Sequence, residues 1–140
     1  MKTATDLDNY MTSVELMYPK FKFLGVYPCD FYSNGTLHGL HKKTFIYNKL
    51  AIILNTGREY TLGEHWVGLC FDTIKQEIFY YDSGGSPPTQ CIQIYINRLL
   101  NSDFSDYKFG YNTIVDQTSK EGCGIYTVNY IQNWLKVAFK

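Results

Sequence analysis

No excess charge of either sign marks this chain: 13 Lys and Arg balance 13 Asp and Glu. Lys42-Lys43 is too little for a basic face that would follow a phosphate backbone, so DNA is not an expected partner. No stretch approaches the roughly 18 apolar residues that cross a bilayer, so no membrane partner is expected. The opening Met1–Asp8 lacks the apolar run of a secretory leader. A soluble, unsecreted protein made in a reducing compartment is the expectation. Cysteine is sparse: Cys29, Cys70, Cys91 and Cys123, none in a C-x-x-C pair. All four are expected to be free thiols, and zinc is not suggested. No internal repeat, linker or low-complexity tract interrupts the 140 residues, which read as one domain, 1–140.

Aromatic residues are plentiful, with 13 Tyr and 9 Phe, which suits strands. Leu7, Tyr10, Met11, Val14 and Met17 recur at steps of three and four, predicting an amphipathic helix over 5–18 with Thr5 as N-cap. Pro19 ends it. Residues 21–28 read as a short strand. Residues 29–45 read as irregular around Ser33-Asn-Gly35, a turn signal. Asn34-Gly-Thr36 is formally a glycosylation sequon but reads as that turn. His38 and His41, three apart near Cys29, match no standard ligand set, so no metal is expected. Residues 47–55 form a near-continuous apolar run, the mark of a strand buried on both faces. Strands are expected over 65–71, 76–82 and 107–115. Helices are expected over 88–101 (Ile92, Tyr95, Ile96, Leu99 inward) and from Cys123 to about Val137 (Ile125, Val128, Ile131, Leu135 inward).

The stretch 64–82 organises the chemistry. It reads as strand, turn, strand, with His65 at the start of the first and Asp82 at the end of the second. In an antiparallel hairpin those two ends lie side by side, so 17 positions of sequence close to near contact. An imidazole beside a carboxylate is the base half of a triad. Cys123, between Gly122 and Gly124 and at a helix N-terminus, is the candidate nucleophile. The dipole and unpaired N–H groups there favour a thiolate, and the glycines let a substrate backbone approach. Gln117, six residues earlier, can donate to a developing oxyanion beside the Cys123 N–H. Singly, each residue has a plainer reading: a cysteine is usually a buried hydrophobe, and Asp-Ser-Gly after a strand is ordinary turn chemistry. The order His, acid, Gln, Cys, each at the end of an element, is far more specific. Cys70 in mid-strand and Cys91 on an apolar helix are poorer nucleophiles.

These residues carry a resemblance. Phe23-Leu-Gly-Val-Tyr27, Leu50-Ala-Ile-Ile-Leu-Asn-Thr-Gly-Arg-Glu59, Gly63-Glu-His-Trp66 and the Gln117…Cys123-Gly124 ending are similar to the adenain family of adenovirus-type cysteine proteases. That family shares a clan with the SUMO and NEDD8 proteases. The resemblance spans residues 21–135. It implies an α+β fold, a mixed, mostly antiparallel central sheet flanked by helices, and the element order read above agrees. It implies His65, Asp82 and Cys123 as the triad, Gln117 as oxyanion donor, and a single cysteine protease domain. Adenain also uses DNA as a cofactor, but the neutral charge of this chain gives no electrostatic reason to expect that, and no cofactor is expected. It also implies that Trp66, with Gly122 and Gly124, lines a narrow groove admitting Gly before the scissile bond.

Departures refine what the resemblance implies. Asp82 stands where adenain has Glu and matches the SUMO-protease branch. No cysteine lies in Asn101–Asp116, so an activating peptide held by a disulfide is not expected there. The implied source is a virus, virophage or related DNA transposon. The implied substrate is a capsid precursor, met in the host cytoplasm or nucleus where virions assemble, or inside the virion. Two alternatives stand beside this endopeptidase: an isopeptidase acting on a ubiquitin-like modifier, and a non-catalytic binding module of the same fold.

Overall fold

The computed structural model describes residues 3–32, 46–57, 65–116 and 122–138. The elements are α1 (Ala4–Glu15), β1 (Phe21–Pro28), β2 (Lys49–Asn55), β3 (Trp66–Asp72), β4 (Glu77–Tyr81), α2 (Gln90–Leu100), β5 (Lys108–Tyr111) and α3 (Cys123–Ala138). The strands form one mixed sheet in the order β1-β2-β3-β4-β5. Its centre, β2-β3-β4, is antiparallel, and each edge strand is parallel to its neighbour.

All seven residues of β2 are buried. Helices cover both faces of the sheet, which is why the strand reads as a run rather than an alternation. Leu50, Ile52 and Leu54 join Leu69, Phe71, Tyr80 and the Ile92, Tyr95, Ile96, Leu99 face of α2 in one cluster. Ala51 and Ile53 point the other way, to α1 and to Val128, Ile131 and Leu135 of α3.

The helix boundaries shift for local reasons. Thr3, not Thr5, caps α1, in a reciprocal box with Asp6. Leu7, Met11 and Val14 are buried, each contributing about 1.5–3 kcal/mol. Met17 falls past the helix end and is exposed. In α3, Ile125 is exposed and Thr127 is buried in its place. The first turn of that helix is rotated to present Cys123, Gly124 and Thr127 towards β3. The strand read as 107–115 ends at Tyr111, because the Asn112 side chain takes over the pairing described below.

The expectation of four free thiols is overturned as well. Cys29, just past β1, and Cys91, in the first turn of α2, form a disulfide with Cα atoms 5.9 Å apart. They are 62 residues apart in sequence, so only the packing of α2 onto the sheet reveals the pair. Cys70 and Cys123 are free. Among the described residues no helix is long and apolar enough to cross a membrane, and no group of three or more His, Cys, Asp or Glu could hold a metal. The expectations about His38, His41 and the Asn34 sequon fall outside the described residues.

Candidate active site

The central hairpin builds the base. β3 and β4 pair with Gly68 opposite Tyr81, so His65, just before β3, meets the turn that follows β4. The Thr56 N–H donates to the His65 carbonyl at 2.8 Å, which continues the β2–β3 ladder and fixes the His65 backbone. His65 Nε2 lies 2.6 Å from Asp82 Oδ1. The same oxygen accepts the Gly84 N–H at 2.8 Å. Asp82 is nearly buried, whereas a quarter of the His65 side chain is exposed. With Nε2 committed to the carboxylate, Nδ1 is left for the Cys123 sulfur, with which the ring is hydrogen-bonded.

The nucleophile arrives from the far end of the chain. Gly122 has φ +86°, a left-handed backbone that only Gly adopts freely. It turns the chain into α3 and starts the helix at Cys123, where the Tyr126 N–H donates to the Gly122 carbonyl at 3.0 Å. The Trp66 N–H points at Cys123 Sγ from 3.5 Å. The buried Thr127 hydroxyl lies 2.9 Å from the Cys123 carbonyl and 3.2 Å from the Trp66 carbonyl. One hydroxyl thus ties the nucleophile's helix to the strand that follows His65.

The electrostatics match the geometry. The Cys123 hydrogen bond pushes His65 up to about 9, against the opposing effect of burial and with further help from the Asp82 hydrogen bond and charge. Burial pushes the Cys123 thiol up. The His65 hydrogen bond, the Trp66 N–H, the His65 charge and the Gly124 N–H together bring it below its ordinary value. A raised imidazole and a lowered thiol are the two halves of a thiolate–imidazolium pair. Cys70 is the opposite case: buried in mid-strand, its thiol is pushed up to about 12, as its weak standing in the sequence implies.

The structure therefore brings His65, Asp82 and Cys123 together. Trp66 is half-buried, its ring packed against the α1–α3 cluster, with its N–H at the sulfur. Gly124 is buried and follows Cys123 in the first turn of α3. Gln117 lies outside the described residues. Sequence reasoning missed Thr127, although a polar residue one turn after a candidate nucleophile, on an apolar face, is a readable signal. It also missed Asn112, whose only signal was its place at the end of a strand.

Comparison with known proteins bears on the family and the fold. A thiol protease of Acanthamoeba polyphaga mimivirus is 30% identical over 138 residues, covering 92% of this chain and 46% of the relative. The protease of Ovine adenovirus D serotype 7 (isolate OAV287) is 33% identical over 100 residues, covering 71% and 43%. The chain thus spans under half the length of these relatives. The crystal structure of an ASFV protease superposes with a TM-score of 0.76 at 20% identity, covering 95% of this chain and 57% of that one, a likeness of fold. The model of the Ulp1 protease family's C-terminal catalytic domain matches residues 4–136, nearly the whole chain and every residue of the site just described, and the chain belongs to that family.

Proposed function

We propose that this chain is a cysteine peptidase in which Cys123 is the nucleophile, His65 the base and acid, and Asp82 the group that orients His65. The observation that carries the reading is one imidazole held at 2.6 Å by a carboxylate on one nitrogen and hydrogen-bonded to a cysteine at a helix N-terminus by the other. In the reaction the Cys123 thiolate attacks the substrate carbonyl and forms the thioester through a tetrahedral intermediate. The His65 imidazolium gives its proton to the leaving amine, then takes one from the water that hydrolyses the thioester. Gln117 and the Cys123 N–H donate to the oxyanion.

The substrate is a protein chain with Gly before the scissile bond. Trp66 beside the nucleophile favours this, because an aromatic wall leaves no room for a Cβ. The viral relatives favour a capsid precursor as that protein and a viral source for the chain. The decisive experiment is a fluorogenic peptide panel varied between Gly and Ala before the cleaved bond. Gly peptides are cleaved, Ala peptides are not, and Cys123→Ala or His65→Ala abolishes cleavage with the fold intact. Near-normal cleavage by either variant refutes the triad.

A second reading is an isopeptidase acting on a ubiquitin-like modifier. It is favoured by Asp82 at the acid position and by membership of the Ulp1 family. Labelling of Cys123 by a ubiquitin-like aldehyde or vinyl probe at low concentration, without cleavage of the short peptides, would select it.

A further inference from the structure

Asp82 is the first residue past β4, where strand pairing stops, yet its backbone is held on both sides. Asn112, the first residue past β5, spans the gap. The Asp82 N–H donates to Asn112 Oδ1 at 2.9 Å, and Asn112 Nδ2 donates back to the Asp82 carbonyl at 2.6 Å. A side-chain amide offers a donor and an acceptor in one plane, as a peptide group does. Asn112 therefore supplies one more rung of the parallel β4–β5 ladder, whose last register pair is Tyr80 with Tyr111. The rung is made by a side chain, so the backbone is free to leave the sheet. The same Nδ2 lies 3.1 Å from the Ile114 carbonyl, which curls the chain back.

The neighbouring contacts hold this arrangement in place. The Asp116 N–H donates to the Ser83 carbonyl at 2.8 Å, and the Tyr81 hydroxyl donates to Asp116 Oδ2 at 2.8 Å. Segment 112–116 is thus bound to 81–83 by four hydrogen bonds. A Cβ on Gly85 would lie 3.1 Å from the Thr113 carbonyl, so the two segments are in close contact.

We propose that Asn112 is the positioning residue of the acid: its amide fixes the Asp82 backbone and, through it, the carboxylate that orients His65. The proposal rests on the His65–Asp82–Cys123 reading. The Gly84 N–H holds the carboxylate at its oxygen; Asn112 holds it at its root. Other side chains satisfy less of the requirement. Asp lacks the donor and sets an oxygen against the Asp82 carbonyl, and Ala leaves the Asp82 N–H open and the Asp82 carbonyl with the Gly85 N–H, at 2.9 Å, in place of two donors.

The test follows iodoacetamide labelling of Cys123 against pH in wild type, Asn112→Ala and the near-isosteric Asn112→Asp, with melting curves alongside. The groups facing His65 are Asp82 and Cys123, and Tyr80, Tyr81 and Asp116 flank Asp82 behind it. Both variants are expected to melt cooperatively. The acid limb of labelling moves up by about one pH unit, a tenfold loss of thiolate on that limb. A lower melting temperature with the limb unmoved is the mark of a merely structural residue and overturns the proposal. Should neither variant fold, the wild type decides by NMR. Asn112 side-chain amide protons exchanging at least about tenfold more slowly than a free amide support the proposal, and exchange at the free rate overturns it. If wild-type Cys123 itself labels as an ordinary thiol, the triad reading fails first and takes the Asn112 proposal with it.

Discussion

Breaking the Cys29–Cys91 bond should lower stability by a large and calculable amount. The bond closes a loop of 62 residues. The loss of chain entropy in the unfolded state from such a closure stabilises the fold by about 4 kcal/mol. Unfolding entropy near 60 °C is about 0.3 kcal/mol/K for a chain this long, so the melting temperature should fall by about 10–15 °C on reduction or in Cys29→Ala/Cys91→Ala. Both sulfurs are buried against Phe31, Tyr32 and Tyr95, so a small reductant at raised temperature is the suitable reagent. The assay pairs a thiol count in denaturant with a melt. Without reductant two thiols titrate, Cys70 and Cys123; with reductant, four. The bond lies on the α2 side of the sheet and Cys123 on α3, which packs on the other side, so Cys123 labelling in the folded protein should not change. Four thiols in the unreduced protein would refute the bond. A melting shift of only a few degrees, with two thiols counted, would refute the loop-closure reasoning.

Three further outcomes follow from the geometry. Thr127→Val keeps the shape and removes the hydroxyl between the Cys123 and Trp66 carbonyls; a loss of about 1–2 kcal/mol and slower Cys123 labelling are expected in denaturant melts and alkylation kinetics. Gly122→Ala places a Cβ at a φ of +86°, with its nearest neighbours at 3.8 Å in the Tyr126 ring. The cost is therefore conformational, about 1–2 kcal/mol, and cleavage should fall more than stability as the nucleophile is re-aimed. Lys49→Met strips the buried Asp72 carboxylate of its ion-pair partner, at a cost of about 3–5 kcal/mol near neutral pH. Burial pushes Asp72 up, but Lys49 and the Lys75 and Ile74 N–H groups bring its carboxyl below the ordinary range. The stability from that pair is present above the unfolded carboxyl value and lost as pH falls through the folded one. The penalty of Lys49→Met, read from urea melts, should therefore shrink in acid.

Much of this could be read from the chain because the signals were local. The apolar run read over 47–55, a buried strand over 49–55, the Leu7–Met11–Val14 stripe and the Val128–Ile131–Leu135 stripe are patterns that tertiary packing did not override. The His65–Asp82 contact was legible because a hairpin brings the ends of its strands together whatever surrounds it. What could not be read depended on distant packing. The Cys29–Cys91 pair exists only once α2 lies on the sheet. The inward turn of Thr127 and outward turn of Ile125 follow from aiming Cys123 at His65, a demand that competes with the apolar period. Asn112 looks like a strand residue in sequence and acts as one, but with its side chain, which no propensity reveals.

The central claim is a thiolate–imidazolium pair at Cys123 and His65, and one measurement addresses it without a substrate. The rate of iodoacetamide labelling is followed from about pH 5 to 9, against an ordinary thiol pKa of about 8.5, in wild type and His65→Ala. Cys29 and Cys91 are bonded to each other and Cys70 is buried with its thiol pushed up to about 12, so the signal belongs to Cys123. His65, raised to about 9, keeps its proton across most of this range, so the pair persists until pH falls through the lowered Cys123 value. Fast labelling that extends well below the ordinary thiol range, and is lost in His65→Ala, is the result the account requires. Slow labelling along an ordinary thiol curve, the same in both proteins, would contradict it.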